Sequence, residues 1–130
     1  MAERYLIDSS AAIKYLNETF SAAAILFLDE IVDTESIISF ISEIELQVWS
    51  PANAEDISIY QSFVAGSLVI GIHAGIIQQT IIIRKMYKLK LPDAIIAATA
   101  IDNNFTLIAD NDADFKKVPG LKYINPVQIN

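Results

Sequence analysis

The stretch Arg4-Tyr-Leu-Ile-Asp-Ser-Ser-Ala-Ala-Ile-Lys-Tyr-Leu16 sets the pattern for the whole chain. It opens with a short apolar run that ends on Asp8, which is typical of a buried strand. Ser9 and Ser10 follow as candidate N-cap residues, and the apolar spacing from Ala11 to Leu16 predicts a helix. We therefore predict a strand, a tight turn that contains Asp8, and a helix.

Similar units follow along the rest of the chain. Ser42 is the predicted N-cap of a helix that runs through Trp49, and Pro51-Ala52-Asn53 is a predicted break. Strands and helices that alternate predict an α/β fold, with a mostly parallel sheet covered on both faces. The further helices are predicted over 21–31, 54–64, 73–87 and 93–102, and the further strands over 36–40, 67–72, 106–109 and 123–124.

Composition sets limits on the class of protein. With 130 residues, 53% hydrophobic and 19% charged, the chain is expected to form one globular domain over residues 1–130. Cysteine is absent and His73 is the one histidine, which excludes disulfides, thiolate sites and multi-histidine zinc sites. The apolar runs are too short to cross a bilayer and no signal region is visible, so we expect a cytoplasmic protein with no membrane segment.

The formal net charge of −7 argues against nucleic acid binding, because phosphate contacts need lysine or arginine. The distribution of the basic residues weakens this objection. They are compatible with a local basic rim beside an acidic pocket, and equally with ordinary solvated side chains. Seven of the nine lie late in the chain: Arg84, Lys85, Lys88, Lys90, Lys116, Lys117 and Lys122.

Acidic residues at strand ends are candidate site residues, because ligands of a parallel sheet bind at the carboxyl ends of its strands. Asp8 is either a turn residue and cap or a site carboxylate. Glu45 falls within the apolar stripe of its helix, where an unpaired carboxylate would be costly, whereas Glu43 falls on the outer side. We therefore expect Glu45 to face a site. The stripe consists of Ile41, Ile44, Val48 and Trp49.

Two further segments carry acids. The helix over 93–102 is apolar on nearly every side and is therefore predicted to be buried. Asp93 lies in its first turn, where it either stabilises the helix dipole or meets other groups in a cleft. Asp110, Asp112 and Asp114 directly follow the strand 106–109, and such neighbours repel one another unless a cation or solvent separates them. A solvated acidic loop is the alternative reading of this run.

Carboxylates from separate segments share one chemical use, the binding of a hard cation. Oxygen ligands suit Mg²⁺ or Mn²⁺, which hold phosphates and lower the pKa of bound water in phosphodiester cleavage. No other catalytic group competes, because Ser9 and Ser10 lack a partner histidine and the chain has no glycine-rich phosphate loop.

Four blocks of this sequence resemble, in order and spacing, those of PIN domains of the VapC type. The likeness covers nearly the whole chain, and the third block is the most specific in combination with the others. The blocks are Tyr5-Leu-Ile-Asp-Ser-Ser10, Ser42-Glu-Ile-Glu-Leu46, Lys90-Leu-Pro-Asp-Ala-Ile-Ile-Ala-Ala98, and Leu107-Ile-Ala-Asp-Asn-Asp-Ala-Asp-Phe115 with Val118-Pro-Gly-Leu121.

The resemblance implies a three-layer α/β/α fold and an endoribonuclease that depends on Mg²⁺ or Mn²⁺. It also implies the toxin of a type II toxin-antitoxin pair, with RNA as substrate, a cognate antitoxin as partner, and a homodimer. The implied catalytic acids are Asp8, Glu45, Asp93 and Asp114, with Ser9 or Ser10 and Asn111 as supporting polar groups.

The chain departs from the family pattern at Ala109-Asp110-Asn111, where many relatives have Thr-Arg-Asn. This difference adds negative charge and leaves open whether Asp110, Asp112 or Asp114 is the fourth metal ligand. It also motivates an alternative, a catalytically weak PIN domain that acts by binding antitoxin or RNA. A receiver-like phosphoacceptor domain fits less well, because the strand near residues 36–41 ends without an aspartate.

Overall fold

The computed structural model describes residues 2–48 and 53–130. Its centre is a sheet whose neighbouring strands are all parallel, so the sheet expected to be mostly parallel is wholly parallel in this part of the chain. The strands are β1 (Tyr5–Ile7), β2 (Ile37–Ser39), β3 (Leu68–Ile70), β4 (Thr106–Ile108) and β5 (Tyr123–Ile124). Their order across the sheet is β3-β2-β1-β4-β5.

Helices connect the strands, as parallel pairing requires. Among the described residues, no helix has the length and apolar character needed to cross a bilayer. The helices are α1 (Ser9–Leu16), α2 (Ala22–Thr34), α3 (Phe40–Val48), α4 (Ala54–Ala65), α5 (Ala74–Met86), α6 (Leu91–Asn103) and α7 (Asp112–Phe115), with a 3-10 turn at Pro126–Gln128.

Successive strand residues point to opposite faces of the sheet, and each face has its own core. Leu6 and Leu107 pack into the core that contains α5 and α6. Ile7 and Ile108 pack into the core that contains α1, α2 and α4. The result is the three-layer α/β/α fold that the sequence resemblance implied.

Helix α6 is buried on nearly all sides, which confirms the prediction from its apolar sequence. Every residue from Ala94 to Ala100 is buried. The helix begins at Leu91, with Pro92 in its first turn, and ends at Asn104 in the left-handed conformation. Its N-terminus lies at the same edge of the sheet as the carboxyl end of β1, which places Asp93 near Asp8.

Two predicted caps are wrong. Ser9 and Ser10 lie inside α1, and Asp8 is the N-cap, with its side chain accepting from the Ser10 backbone N–H. Ser42 is also inside its helix, because α3 begins at Phe40 directly after β2, and Ser39 Oγ accepts from the Ile41 N–H at 3.1 Å. Both helices therefore start closer to the strand ends than the serine positions suggested.

The buried face of α3 differs from the prediction. Leu46 and Ser42 face the core, with Leu46 1% exposed, whereas Ile44 is 52% and Val48 71% exposed. The predicted apolar stripe is therefore wrong, because two of its members, Ile44 and Val48, lie at the surface. Trp49 and the predicted break at Pro51 and Ala52 lie outside the described residues.

Candidate active site

Asp8 is the buried member of the candidate site. It follows β1, lies 6% exposed, and accepts a hydrogen bond from Ser10 Oγ at 2.7 Å on Oδ2. Burial raises the pKa of Asp8 to about 6, partly offset by the Ser10 hydrogen bonds, and the charges of Glu45 and Asp93 push it in the same direction as burial. Asp8 is thus both a helix cap and a carboxyl group held among other acids.

Glu45 reaches the start of α1 from the neighbouring helix α3. Its Oε1 accepts a hydrogen bond from Ser9 Oγ at 2.7 Å. The charge of Glu45 acts on both Asp8 and Asp93. Glu45 is exposed and is not part of a buried apolar stripe, and its hydrogen bond with Ser9 brings it beside Asp8 at the start of α1.

Asp93 lies half-buried in the first turn of α6. Desolvation raises its pKa most, followed by the charges of Asp114 and Glu45, while Lys90 lowers it. The balance is a raised pKa even though the N-terminal end of a helix favours a carboxylate. Burial, together with the surrounding acids, therefore outweighs the effects of Lys90 and the helix dipole on the pKa of Asp93.

Asp114 belongs to the short helix α7, so this part of the acidic run is helical. Asn111 holds it from both sides: Asn111 Oδ1 accepts from the Asp114 N–H at 3.3 Å, and Asn111 Nδ2 donates to Asp114 Oδ2 at 3.1 Å. Lys117 Nζ lies 3.4 Å from the other carboxylate oxygen. Asn111 thus contacts both the main chain and the carboxylate of Asp114.

The carboxylates of Asp110 and Asp112 accept hydrogen bonds from other side chains of the protein. Lys14 forms an ion pair with Asp110, and its hydrogen bond lowers the pKa of that carboxyl group. Tyr123 donates to Asp112 Oδ1 at 2.7 Å and likewise lowers its pKa. Asn125 Nδ2 donates to both carboxylates at 3.0 Å. Of the three acids in this run, Asp114 is the one whose charge acts on Asp93.

The structure brings Asp8, Glu45, Asp93 and Asp114 to one edge of the sheet, where their charges interact. Within residues 2–48 and 53–130, Asp8, Glu45 and Asp93 form no ion pair with a basic side chain. No three of the acids in this described part stand at a spacing that holds a metal ion directly. The site is therefore a set of carboxylates whose charges interact but whose positions do not bring three of them around one ion.

Only part of the predicted basic rim lies beside these acids. Lys90 acts on Asp93, and Lys117 reaches both Asp114 and the Lys88 carbonyl oxygen, at 3.3 Å from the latter. Lys122 lies at the other end of the sheet, 3.8 Å from Glu3. A cavity of about 440 Å³, lined by Arg4, Tyr5, Phe27 and Glu35 among others, is also at that far end and contains none of the four acids.

Sequence reasoning missed the groups that hold the acidic run. Lys14 lies four residues after Ser10, on the same face of α1. The helical spacing could therefore have indicated that both side chains lie beside the strand ends. Tyr123 and Asn125 had no such signal, because only the pairing of β5 with β4 brings them to residues 110–112. The negative charge that Asp110 adds is thus balanced by Lys14.

Comparison with solved structures shows the same fold in bacterial proteins. VapBC2 from Rickettsia felis, bound to a DNA fragment from the promoter, is 23% identical with a TM-score of 0.78, and 93% of this chain and 97% of that chain are covered. DNA-bound VapBC from Salmonella typhimurium has a TM-score of 0.79 at 18% identity, with 96% and 99% covered.

A toxin-antitoxin complex from Klebsiella pneumoniae is 26% identical, with a TM-score of 0.73, and 96% of this chain and 99% of that chain are covered. A search of the curated proteins finds no match. The family model of the PIN domain matches residues 5–121, which is most of the chain and includes all four blocks noted in the sequence. The chain belongs to the PIN domain family.

Proposed function

We propose that this protein is a metal-dependent endoribonuclease and the VapC-type toxin of a type II toxin-antitoxin pair. The observation that carries the proposal is the meeting of Asp8, Glu45, Asp93 and Asp114 at the carboxyl edge of a parallel sheet, with raised pKa values at Asp8 and Asp93. Membership of the PIN domain family and the likeness to toxin-antitoxin complexes support it.

The donor set suits Mg²⁺ or Mn²⁺. All four side chains are carboxylates, which are the hard oxygen ligands that these ions prefer, and cysteine is absent from the sequence. Asp8, Glu45 and Asp93 interact through their charges and have no basic partner in the described part of the chain, so a divalent cation would relieve their repulsion. We assign Asp8, Glu45, Asp93 and Asp114 as the residues that would hold it. Asp110 and Asp112 are assigned to supporting roles, because Asp114 is the acid of this run whose charge acts on Asp93.

A bound divalent ion supplies Lewis acidity toward a phosphate oxygen and an activated water for phosphodiester cleavage. The chain itself orients the acids: Ser10 fixes Asp8, Ser9 fixes Glu45, and Asn111 fixes Asp114. Lys90 and Lys117 lie close enough to these acids to contact the phosphates that flank the cleaved bond. Substrate choice would follow from the shape and strandedness of the RNA.

The expected partners are a cognate antitoxin and a second copy of the chain. Helix α5 exposes Ile77, Ile81 and Ile82. Exposed apolar residues of this kind favour protein contacts. The homodimer and the antitoxin remain predictions, which sedimentation of the purified chain and co-purification with the product of a neighbouring gene would test.

The test of the proposal is cleavage of a mixed pool of structured and single-stranded RNA by purified protein with Mg²⁺, with Mn²⁺ and with EDTA. We expect cleavage with either ion and none with EDTA. Asp93→Asn should lower the rate by roughly a hundredfold or more, because it removes a proposed metal ligand.

Asp56→Asn is the matched control. Asp56 also lies half-buried in the first turn of a helix, but in α4 and outside the acidic site, so the cleavage rate should not change. A folded protein that binds Mn²⁺ and RNA but cleaves nothing would favour the alternative function, a PIN domain that acts by binding. Cleavage that persists in EDTA would contradict the metal-dependent proposal.

A further inference from the structure

The hydroxyl of Tyr123 lies at the centre of the turn between β4 and α7. It accepts a hydrogen bond from the Asn111 N–H at 3.1 Å, and it lies 2.7 Å from Asp112 Oδ1 and 3.0 Å from the Ala109 carbonyl oxygen. A phenol has a single hydrogen to donate, and the shorter contact to a charged acceptor is the stronger one. The hydroxyl therefore ties the main chain at residue 111 to the side chain of Asp112.

The position of this hydroxyl is set by the sheet. Tyr123 belongs to β5, whose register pairs it with Leu107 of β4. Its ring packs against the buried Phe115, with ring centroids 5.9 Å apart. The side chain is thus held at both its backbone and its ring, and the hydroxyl is a fixed point for the turn beside it.

The segment that carries Asp114 needs such an anchor. Helix α7 has four residues, which is too short to be stable by its own hydrogen bonds. Asn111 is its N-cap and contacts both the N–H and the carboxylate of Asp114. Any group that fixes residue 111 therefore also fixes the direction of the Asp114 carboxylate.

We propose that Tyr123 is a positioning residue that holds the Asp114 carboxylate in the acidic site through Asn111, and thereby raises the affinity of the site for a divalent cation. Asn125 acts beside it, since its amide donates to both Asp110 and Asp112. The inference rests on the proposed function, because it gives Asp114 a part in cation binding. Tyr123 acts on the ion only through these other residues.

The first experiment measures Mn²⁺ affinity by water-proton relaxation on metal-stripped, folded Tyr123→Phe. Phenylalanine keeps the ring packing and removes the hydroxyl. We expect roughly tenfold weaker Mn²⁺ binding, the effect typical of a lost hydrogen bond behind a metal ligand. The matched control is Tyr60→Phe, whose hydroxyl donates to Asn17 at 3.1 Å in another part of the molecule, and which should bind Mn²⁺ within about twofold of the unmodified protein.

A double-mutant cycle separates positioning from a general loss of structure. In an Asp114→Asn background, Tyr123→Phe should cost little further Mn²⁺ affinity, because the two residues act in one chain of contacts. Undiminished affinity in Tyr123→Phe alone, or full additivity of the two changes, would overturn the inference. Asn125→Ser is a second variant: serine can also cap Val127, adds no charge, removes the donor amide, and should weaken Mn²⁺ binding in the same way.

Amide hydrogen exchange in the metal-free protein tests the positioning without any metal. Exchange at residues 111–115 should be roughly tenfold faster in Tyr123→Phe and unchanged in Tyr60→Phe. Unchanged exchange in Tyr123→Phe would overturn the inference even if cleavage activity were confirmed. Faster exchange in a protein that binds no Mn²⁺ would support the positioning of Asp114 while contradicting the proposed function.

Discussion

Asp8 combines two roles that place opposite demands on its charge. As the N-cap of α1 it accepts a hydrogen bond from the first turn, which favours the carboxylate, but burial and two neighbouring acids favour the protonated form. The raised pKa shows that burial prevails over the cap. A cation bound at this edge of the sheet would favour the ionised form, so ligand binding and the charge state of Asp8 are linked.

The stability of the metal-free protein should reflect this linkage. The pKa of Asp8 rises from 3.8 to about 6 on folding, so between these values the folded state binds the proton more tightly than the unfolded state. The contribution of Asp8 therefore stabilises the fold at low pH, and is lost as the pH rises from about 4 to 6. Asp8→Asn should increase the free energy of unfolding by roughly 1–3 kcal/mol at pH 7.5, since asparagine also caps helices.

Urea unfolding in EDTA at several pH values between 4 and 7.5 measures this difference. The difference in free energy of unfolding between Asp8→Asn and the unmodified protein should vanish toward pH 4, where the side chain of residue 8 is neutral in both folded proteins. A gain of equal size at pH 4 and pH 7.5 would show that packing or hydrogen bonding, and not ionisation, separates the two proteins.

At the scale of elements, α6 and α3 show where sequence patterns succeed and fail. Helix α6 is apolar on all sides, so its burial follows whichever way it rotates. Helix α3 has apolar and polar residues around its whole circumference. The number of apolar residues therefore does not show which side packs against the sheet. The helix starts at Phe40, before the predicted N-cap Ser42, and its orientation follows from direct attachment to β2.

Two substitutions on α3 test which face is buried. Leu46→Ala should lower the free energy of unfolding by about 2–4 kcal/mol, because Leu46 is fully buried in the core and its loss leaves a cavity. Val48→Ala, at an exposed position of the same helix, should change it by less than about 0.5 kcal/mol. Thermal or urea unfolding gives both values, and similar losses for the two variants would contradict the observed face.

The buried serine of the same helix offers a second test. Ser42 is fully buried, and its hydroxyl has no hydrogen-bond partner within residues 2–48 and 53–130. A buried hydroxyl without a partner costs free energy, so Ser42→Ala should leave stability unchanged or increase it by about 1 kcal/mol. A loss of more than about 1 kcal/mol in urea unfolding would indicate that the hydroxyl has a favourable contact.

At the scale of the whole molecule, the parallel sheet explains how distant segments form one site. The ends of β1 and β4 and the helix that follows β2 lie at the same edge, because all strands run in one direction. Asp8, Glu45 and Asp114 follow these strands, and the N-terminus of α6 adds Asp93. This is the general location of ligand sites in parallel sheets.

A cation that binds only the folded protein should raise its melting temperature. We expect millimolar Mn²⁺ to raise it by several degrees, on the order of 3–8 °C, and EDTA to reverse the effect. Because the net charge is −7, ionic screening alone also stabilises the protein, so NaCl of equal ionic strength is the control. Asp93→Asn should show only the increase seen with NaCl. An equal Mn²⁺ effect in both proteins would argue against binding at this site.

The amino-acid sequence by itself determined the alternation of strands and helices, the burial of α6, and the candidate acids, because these depend on local periodicity and on side-chain chemistry. The tertiary structure decided the face of α3, the start of that helix at Phe40, and the pairing of Lys14 with Asp110. It also decided that Tyr123 and Asn125 hold the acidic run. Contacts of this second kind join residues far apart in the chain, and only the register and direction of the strands bring such residues together.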